Sequence, residues 1–141
     1  MYNITASVFK IKESTDILIR TPEQVKATLP EIGYMAQESF HVITLNVKNK
    51  LIDKHMIALG TISAAIVHPR EVFAAALSDR ATSIILVHNH PSGDTTPSAD
   101  DLSITKKLVN AGEIMDIKVI DHIILAHDKF LSMREEDIVT F

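Results

Sequence analysis

The segment Ser83–His88, SIILVH, is a continuous apolar run that ends abruptly in a loop rich in Pro and Gly, and a polar helix start follows at Ser98. An apolar run without polar alternation predicts a central strand buried on both faces. The chain must therefore cover each side of a sheet, and whatever leaves the end of that strand is held on a rigid element.

The remaining patterning supplies the cover. Asn3 to Ile11 alternates as a strand, and Thr21-Pro22-Glu23 reads as an N-cap, a first-turn Pro and a first-turn acid opening a helix to about Leu29, ended by the stretch from Pro30 to Gly33. Phe40 to Val47 and Leu51 to Leu59 flank the polar turn Lys48-Asn49-Lys50 and predict an antiparallel hairpin, with His41 and His55 on its surface. Pro69-Arg70-Glu71 leads into VFAAAL, a helix to about Ser78. A third helix opens at Ser98 and stops near Gly112 or just beyond, and Ile117 to Ala126 is a last long strand, turned at His127-Asp128-Lys129 before Phe130 to Met133. The order predicts a mixed α/β (α+β) sandwich with helices against a mostly antiparallel or mixed sheet.

Size and composition narrow the chemistry. At 141 residues, with 46% hydrophobic and 23% charged residues, the chain fits one ordinary domain able to bury its own core. The absence of Cys removes disulfide scaffolds, iron–sulfur clusters, Cys-based zinc sites and cysteine nucleophiles, so a metal has to sit on His, Asp or Glu. No run reaches membrane-span length and the N-terminus has no signal-peptide pattern, so a cytoplasmic protein with no membrane partner is expected. A net charge of −4 disfavours nucleic acid as the main partner, although Lys106, Lys107 and Lys118 could form a local basic patch.

Chemistry concentrates in His88-Asn89-His90-Pro91-Ser92-Gly93-Asp94-Thr95-Thr96-Pro97-Ser98-Ala99-Asp100-Asp101. Residues i and i+2 of a strand share a face and stand roughly 6.6 Å apart, so both imidazoles can reach one ion at about 2.0–2.1 Å. Two His and one carboxylate leave a fourth tetrahedral position open, as in catalytic zinc sites. Read alone, Ser98-x-x-Asp101 is more readily a helix-capping pair than a ligand signal, and a lone strand-end His is usually an ordinary polar residue.

The pattern His-x-His-Pro, six residues, Ser, two residues, Asp resembles the JAMM signature of JAB/MPN metalloenzymes. The flanking Glu38-Ser39-Phe40, Gly60-Thr61, Val67-His68-Pro69-Arg70-Glu71, HNHPSGD and Asp121-His122-Ile123-Ile124 are similar to RadC proteins in particular. The resemblance implies a JAB/MPN-like (cytidine-deaminase-like) fold, with one Zn²⁺ per chain on His88, His90 and Asp101. It also implies Ser98 as the group that helps hold a polarised carbonyl oxygen, and Glu38 as the general base, with Glu71 the competing acid. The expected activity is zinc-dependent amide hydrolysis on a protein or peptide substrate, in a bacterial cytoplasmic setting, with homo-oligomerisation left open. The chain resembles the short RadC members: residues 1–35 would be an extension packed on a single domain, without a helix-hairpin-helix segment. His68 and the Asp121-His122 pair occupy family-like positions, where an acid orienting a ring nitrogen is the general role. His127-Asp128 lacks the further ligands of a phosphohydrolase, and Ser92 and Asp94 would shape the mouth of the site.

Two rival readings stand beside this one. The letters H-N-H and the family's DNA-repair label suggest a nuclease or nucleic-acid-binding module. Nuclease sites of that name spread those residues over a ββα unit, and 5% aromatic content without Trp offers few stacking platforms. The other rival is a catalytically silent MPN-like interaction scaffold, against which all four site residues are retained.

Overall fold

The computed structural model describes residues 12–141, so the strand expected over Asn3 to Ile11 lies outside the described residues. Helix α1 (Pro22–Thr28) begins with the cap the sequence signals: Thr21 and Gln24 form a reciprocal capping box, with Pro22 in the first turn. A short 3₁₀ turn at Ile32–Tyr34 leads into β1 (Ser39–Leu45) and β2 (Leu51–Leu59). Then follow α2 (Pro69–Ser78), β3 (Ser83–Asn89), α3 (Ala99–Met115), β4 (Lys118–Ala126) and β5 (Lys129–Ser132).

The five strands form one mixed sheet in the order β2-β1-β3-β4-β5. β1 pairs antiparallel with β2 and β3, β3 pairs parallel with β4 through the α3 crossover, and β5 closes the edge antiparallel to β4. Because β1 and β3 sit in the middle, both are buried along their whole length. Alternation divides their side chains between two cores. Phe40, Val42, Ile84 and Leu86 face α2 and α3 through Phe73, Ala76, Ile104 and Leu108. Ile43, Leu45, Ile85, Val87, Ile123 and Leu125 face α1 and the 3₁₀ turn through Ile19, Val25, Leu29 and Ile32. The fold is thus a mixed α+β sandwich of a sheet between helical layers.

α3 ends at Met115, just beyond Gly112 as expected, where Asp116 takes a left-handed conformation at φ 56°. Gly112 itself is a point of close approach: a Cβ there would lie 2.5 Å from the carbonyl oxygen of Ile117. One local reading changes: the two hairpin histidines are not surface residues. His41 is buried and its Nε2 lies 2.8 Å from Ser39 Oγ, because β1 is central rather than an edge. His55 is half-buried with Nε2 2.6 Å from Asp79. No helix among the described residues is long and apolar enough to cross a membrane.

Candidate metal centre

β3 carries His88 at its C-terminal end on the α3 face, and His90 follows one residue beyond the strand, where its backbone N–H still bonds Leu125 O at 2.8 Å. The loop then doubles back through Gly93, at φ 85°, and delivers Ser98 as the N-cap of α3. Ser98 Oγ accepts from Asp101 N–H at 3.0 Å, and Asp101 Oδ2 accepts from Ser98 N–H at 2.8 Å. This capping box aims the Asp101 carboxylate at the strand end.

The three side chains meet. His88 Nε2 and His90 Nε2 are 2.9 Å apart; His88 Nε2 is 3.1 Å from Asp101 Oδ1 and His90 Nε2 is 3.1 Å from Asp101 Oδ2. At zinc–ligand bond lengths a tetrahedral edge is roughly 3.4 Å, so this triangle lies a few tenths of an ångström inside the ligand set of such an ion. The donor chemistry fits as well. His90 Nδ1 is 2.7 Å from the Asp94 carbonyl, which can only accept, so the neutral ring carries its proton on Nδ1 and turns a lone pair inward at Nε2. Two ring nitrogens at 2.9 Å need a proton or a cation between them.

The electrostatics are those of a cation site. Asp101 is 3% exposed, and burial pushes its carboxyl up, yet contacts from His88 and His90 outweigh this and hold it far below the usual carboxylate range. The His90 ring is pushed up, first by Asp101 and to a smaller extent by the charge of Glu38. Glu38 therefore lies within electrostatic reach of the centre. It stands two residues before Phe40, which pairs with His88 across β1 and β3, so it shares the α3 face. Glu38 is half-buried, and its Oε2 accepts from Ile62 N–H at 2.8 Å, with no hydrogen bond to Oε1 among the described residues.

The other sequence candidates separate. Glu71 is exposed on the first turn of α2 with a loose ion pair to Arg70 at 3.9 Å, and it is not among the groups that converge at the centre. His68 is the N-cap position of α2 and makes no side-chain cap bond. Asp121 does not orient the ring of His122: its oxygens accept from the backbone N–H groups of His122 and Arg134 and from Ser132 Oγ. Asp94 contributes through its backbone carbonyl, not its carboxylate, and Ser92 only accepts from Asp94 N–H. Ser98 is exposed beside the centre.

Two positions that brace the candidate centre carried no reading in the sequence. Asn89, fully buried between the two histidines in sequence, receives Ser39 N–H at 2.7 Å and Ser39 Oγ at 3.0 Å on Oδ1, and donates from Nδ2 to Gln37 O at 2.9 Å. It grips the backbone on both sides of Glu38. Thr105, one turn after Asp101 on α3, reaches His122 Nδ1 at 2.6 Å, and His122 Nε2 is 2.8 Å from His88 Nδ1. A polar residue inside an apolar strand and a Thr at i+4 from the acid were the available signals.

A second cluster, Asp53, His55 and Asp79, is of another kind: the Lys12 ammonium bonds both Asp53 and Asp79, so a protein cation is already in place. A cavity of about 400 Å³ at the opposite end of the sheet, lined by Ile19, Arg20, Ile85 and Lys118 among others, carries none of the centre's side chains.

A family model described as "RadC-like JAB domain" matches residues 19–138. The chain is similar to a UPF0758 protein of Listeria monocytogenes, 46% identical over 127 residues that cover 89% of this chain and 57% of the relative. A UPF0758 protein of Caldanaerobacter subterraneus is 48% identical over 124 residues, 87% of this chain and 53% of the relative. One of Clostridium perfringens is 45% identical over 132 residues, 93% and 58% respectively. The chain thus spans little more than half the length of these curated relatives.

Proposed function

The chain belongs to the RadC-like JAB domain family, and we propose that it is a zinc-dependent metallohydrolase that cleaves an amide bond in a protein or peptide substrate. The observation that carries this reading is the convergence of His88 Nε2, His90 Nε2 and Asp101 within 3.1 Å of one another at a strand end. These three residues would hold the ion, one per chain. Zinc, when bound, supplies a Lewis acid and brings the pKa of a water molecule toward neutrality.

The chain's own groups do the rest. Oε1 of Glu38 takes the proton of the attacking water. The hydroxyl of Ser98, whose oxygen already accepts from Asp101 N–H, keeps its hydrogen available for the carbonyl oxygen as charge develops there. Glu38 then returns the proton to the departing amine. Asn89 keeps the Glu38 backbone fixed during both transfers.

Metal analysis of protein purified without chelators should give about one divalent ion per chain, lost in His88→Ala and Asp101→Ala. Glu38→Gln should retain the ion and lose hydrolysis of peptide substrates. A variant that hydrolyses as well as the parent removes Glu38 as the base, and a metal-free parent removes the whole reading.

A further inference from the structure

We propose that His122 and Thr105 are positioning residues for the candidate centre: a hydrogen-bond relay from the α3 backbone through Thr105 and His122 fixes which ring nitrogen of His88 turns toward the ion. The proposal rests on reading His88, His90 and Asp101 as metal ligands.

The direction of the relay follows from one group that cannot donate. Thr105 Oγ1 lies 2.6 Å from the Asp101 carbonyl oxygen, which has no hydrogen, so the hydroxyl donates there. With that proton spent, Oγ1 can only accept from His122 Nδ1 at 2.6 Å, and Nδ1 must carry hydrogen. A neutral His122 ring then has a bare Nε2, and His88 Nδ1, 2.8 Å away, must donate to it. His88 is left with its lone pair on Nε2, the atom that faces His90 and Asp101.

His122 and Thr105 are fully buried, and among the described residues no carboxylate lies within hydrogen-bond distance of the His122 ring, so the ring's two neighbours in the relay are Thr105 and His88 alone. The relay begins on the backbone of a ligand in α3, crosses β4 and ends on a ligand in β3. It therefore ties together the two elements that have to stay in register for the centre to form. His90 obtains the same tautomer more simply, from the Asp94 carbonyl. Ligand imidazoles whose outer nitrogen loses its partner weaken metal affinity by about 10–100-fold.

The experiment uses the full chain with Thr105→Val, which removes only the hydroxyl, together with His122→Phe and His122→Gln. Two readouts are taken: the imidazole ¹⁵N spectrum of metal-free protein, and Zn²⁺ affinity by competition with a chromophoric chelator. His88 in the parent should be the Nδ1–H tautomer. Thr105→Val and His122→Phe should shift it to a mixture and weaken zinc binding, His122→Phe by about 10–100-fold. His122→Gln, whose side-chain oxygen can still accept, should recover part of the affinity. Where His122→Phe does not fold, Thr105→Val decides. Variants with parental zinc affinity and an unchanged His88 tautomer overturn the relay while leaving the metal reading intact. A parent that binds no zinc sinks the metal reading, and the metal-free spectrum still decides the relay.

Discussion

Replacing Asn89 by Asp exchanges an NH₂ for an oxygen at nearly constant volume, inside the clamp that holds the segment around Glu38. Oδ1 can keep both bonds from Ser39, but the other oxygen now faces the Gln37 carbonyl at the 2.9 Å that the amide spans. One hydrogen bond is lost, about 1 kcal/mol, and two acceptors are pressed together without water, roughly 1–3 kcal/mol more. Asn89 is fully buried, so nothing relieves this. About 3 kcal/mol is expected at neutral pH, equivalent to a folded-state carboxyl pKa raised by about two units above its unfolded value near 3.9. The sign follows: a carboxyl with a raised folded pKa destabilises once it ionises in the unfolded chain, so the deficit grows above pH 4 and levels off above the folded pKa. Near pH 4 the protonated acid can donate to Gln37 O as the amide did, and the deficit should fall below about 1 kcal/mol. With a urea m-value of about 2 kcal/mol/M, the midpoint should drop by about 1.5 M at pH 7 relative to the parent. A neutral-pH midpoint within about 0.25 M of the parent's, or a deficit that persists undiminished at pH 4, would refute the clamp.

Asp79→Ala removes a buried carboxylate that receives Thr44 Oγ1 at 2.7 Å, His55 Nε2 at 2.6 Å and Lys12 Nζ at 3.2 Å, and should destabilise by about 2–4 kcal/mol near pH 7. Burial pushes Asp79 up, but those partners together hold it below its ordinary 3.8, so its contribution is fully present above that value and is lost as pH falls through the lowered pKa; the gap between parent and variant in denaturant melts should narrow progressively as the pH is taken below 3.8. Gly112→Ala trades a helix-propensity gain of about 1 kcal/mol against a Cβ 2.5 Å from a backbone oxygen, and a net loss of about 1–2 kcal/mol in the same melts is expected. A Gly112→Ala chain more stable than the parent would mean that the α3–β4 turn yields easily.

The parts of the fold that were legible are those where local chemistry and tertiary placement agree. SIILVH is a strand buried on both faces because β3 has β1 on one side and β4 on the other, and an apolar run is what such a position requires. Thr21-Pro22 and Ser98 open helices because capping is settled within four residues. The misreadings are non-local. His41 and His55 look like hairpin surface until a third strand covers β1 and Asp79, at the end of α2, reaches His55. The end of α3 was legible near Gly112, but the reason for a Gly there is again non-local: without a Cβ it lets the chain at Ile117 fold back against the helix. The convergence of His88, His90 and Asp101 was legible from spacing, whereas Asn89 and Thr105 act on Gln37, Ser39 and His122, whose proximity only the folded sheet creates.

The capping and the metal-ligating readings of Ser98-x-x-Asp101 are not rivals in the folded chain. Asp101 Oδ2 accepts from Ser98 N–H and also lies 3.1 Å from His90 Nε2, while Oδ1 lies 3.1 Å from His88 Nε2. The first turn of α3 thus serves as the mount for the carboxylate, and the positive end of the helix favours its ionised form before any cation arrives. A side chain restrained in this way loses little rotamer freedom on binding an ion, so the entropic penalty falls largely on folding. The same holds at the strand end, where Asn89 and His88 point to opposite faces of β3: one fixes the backbone that carries Glu38, the other meets Asp101. The candidate base and the candidate ligands are therefore set by a single strand terminus, and a shift of β3 by one residue against β1 would exchange the two faces and dismantle both at once.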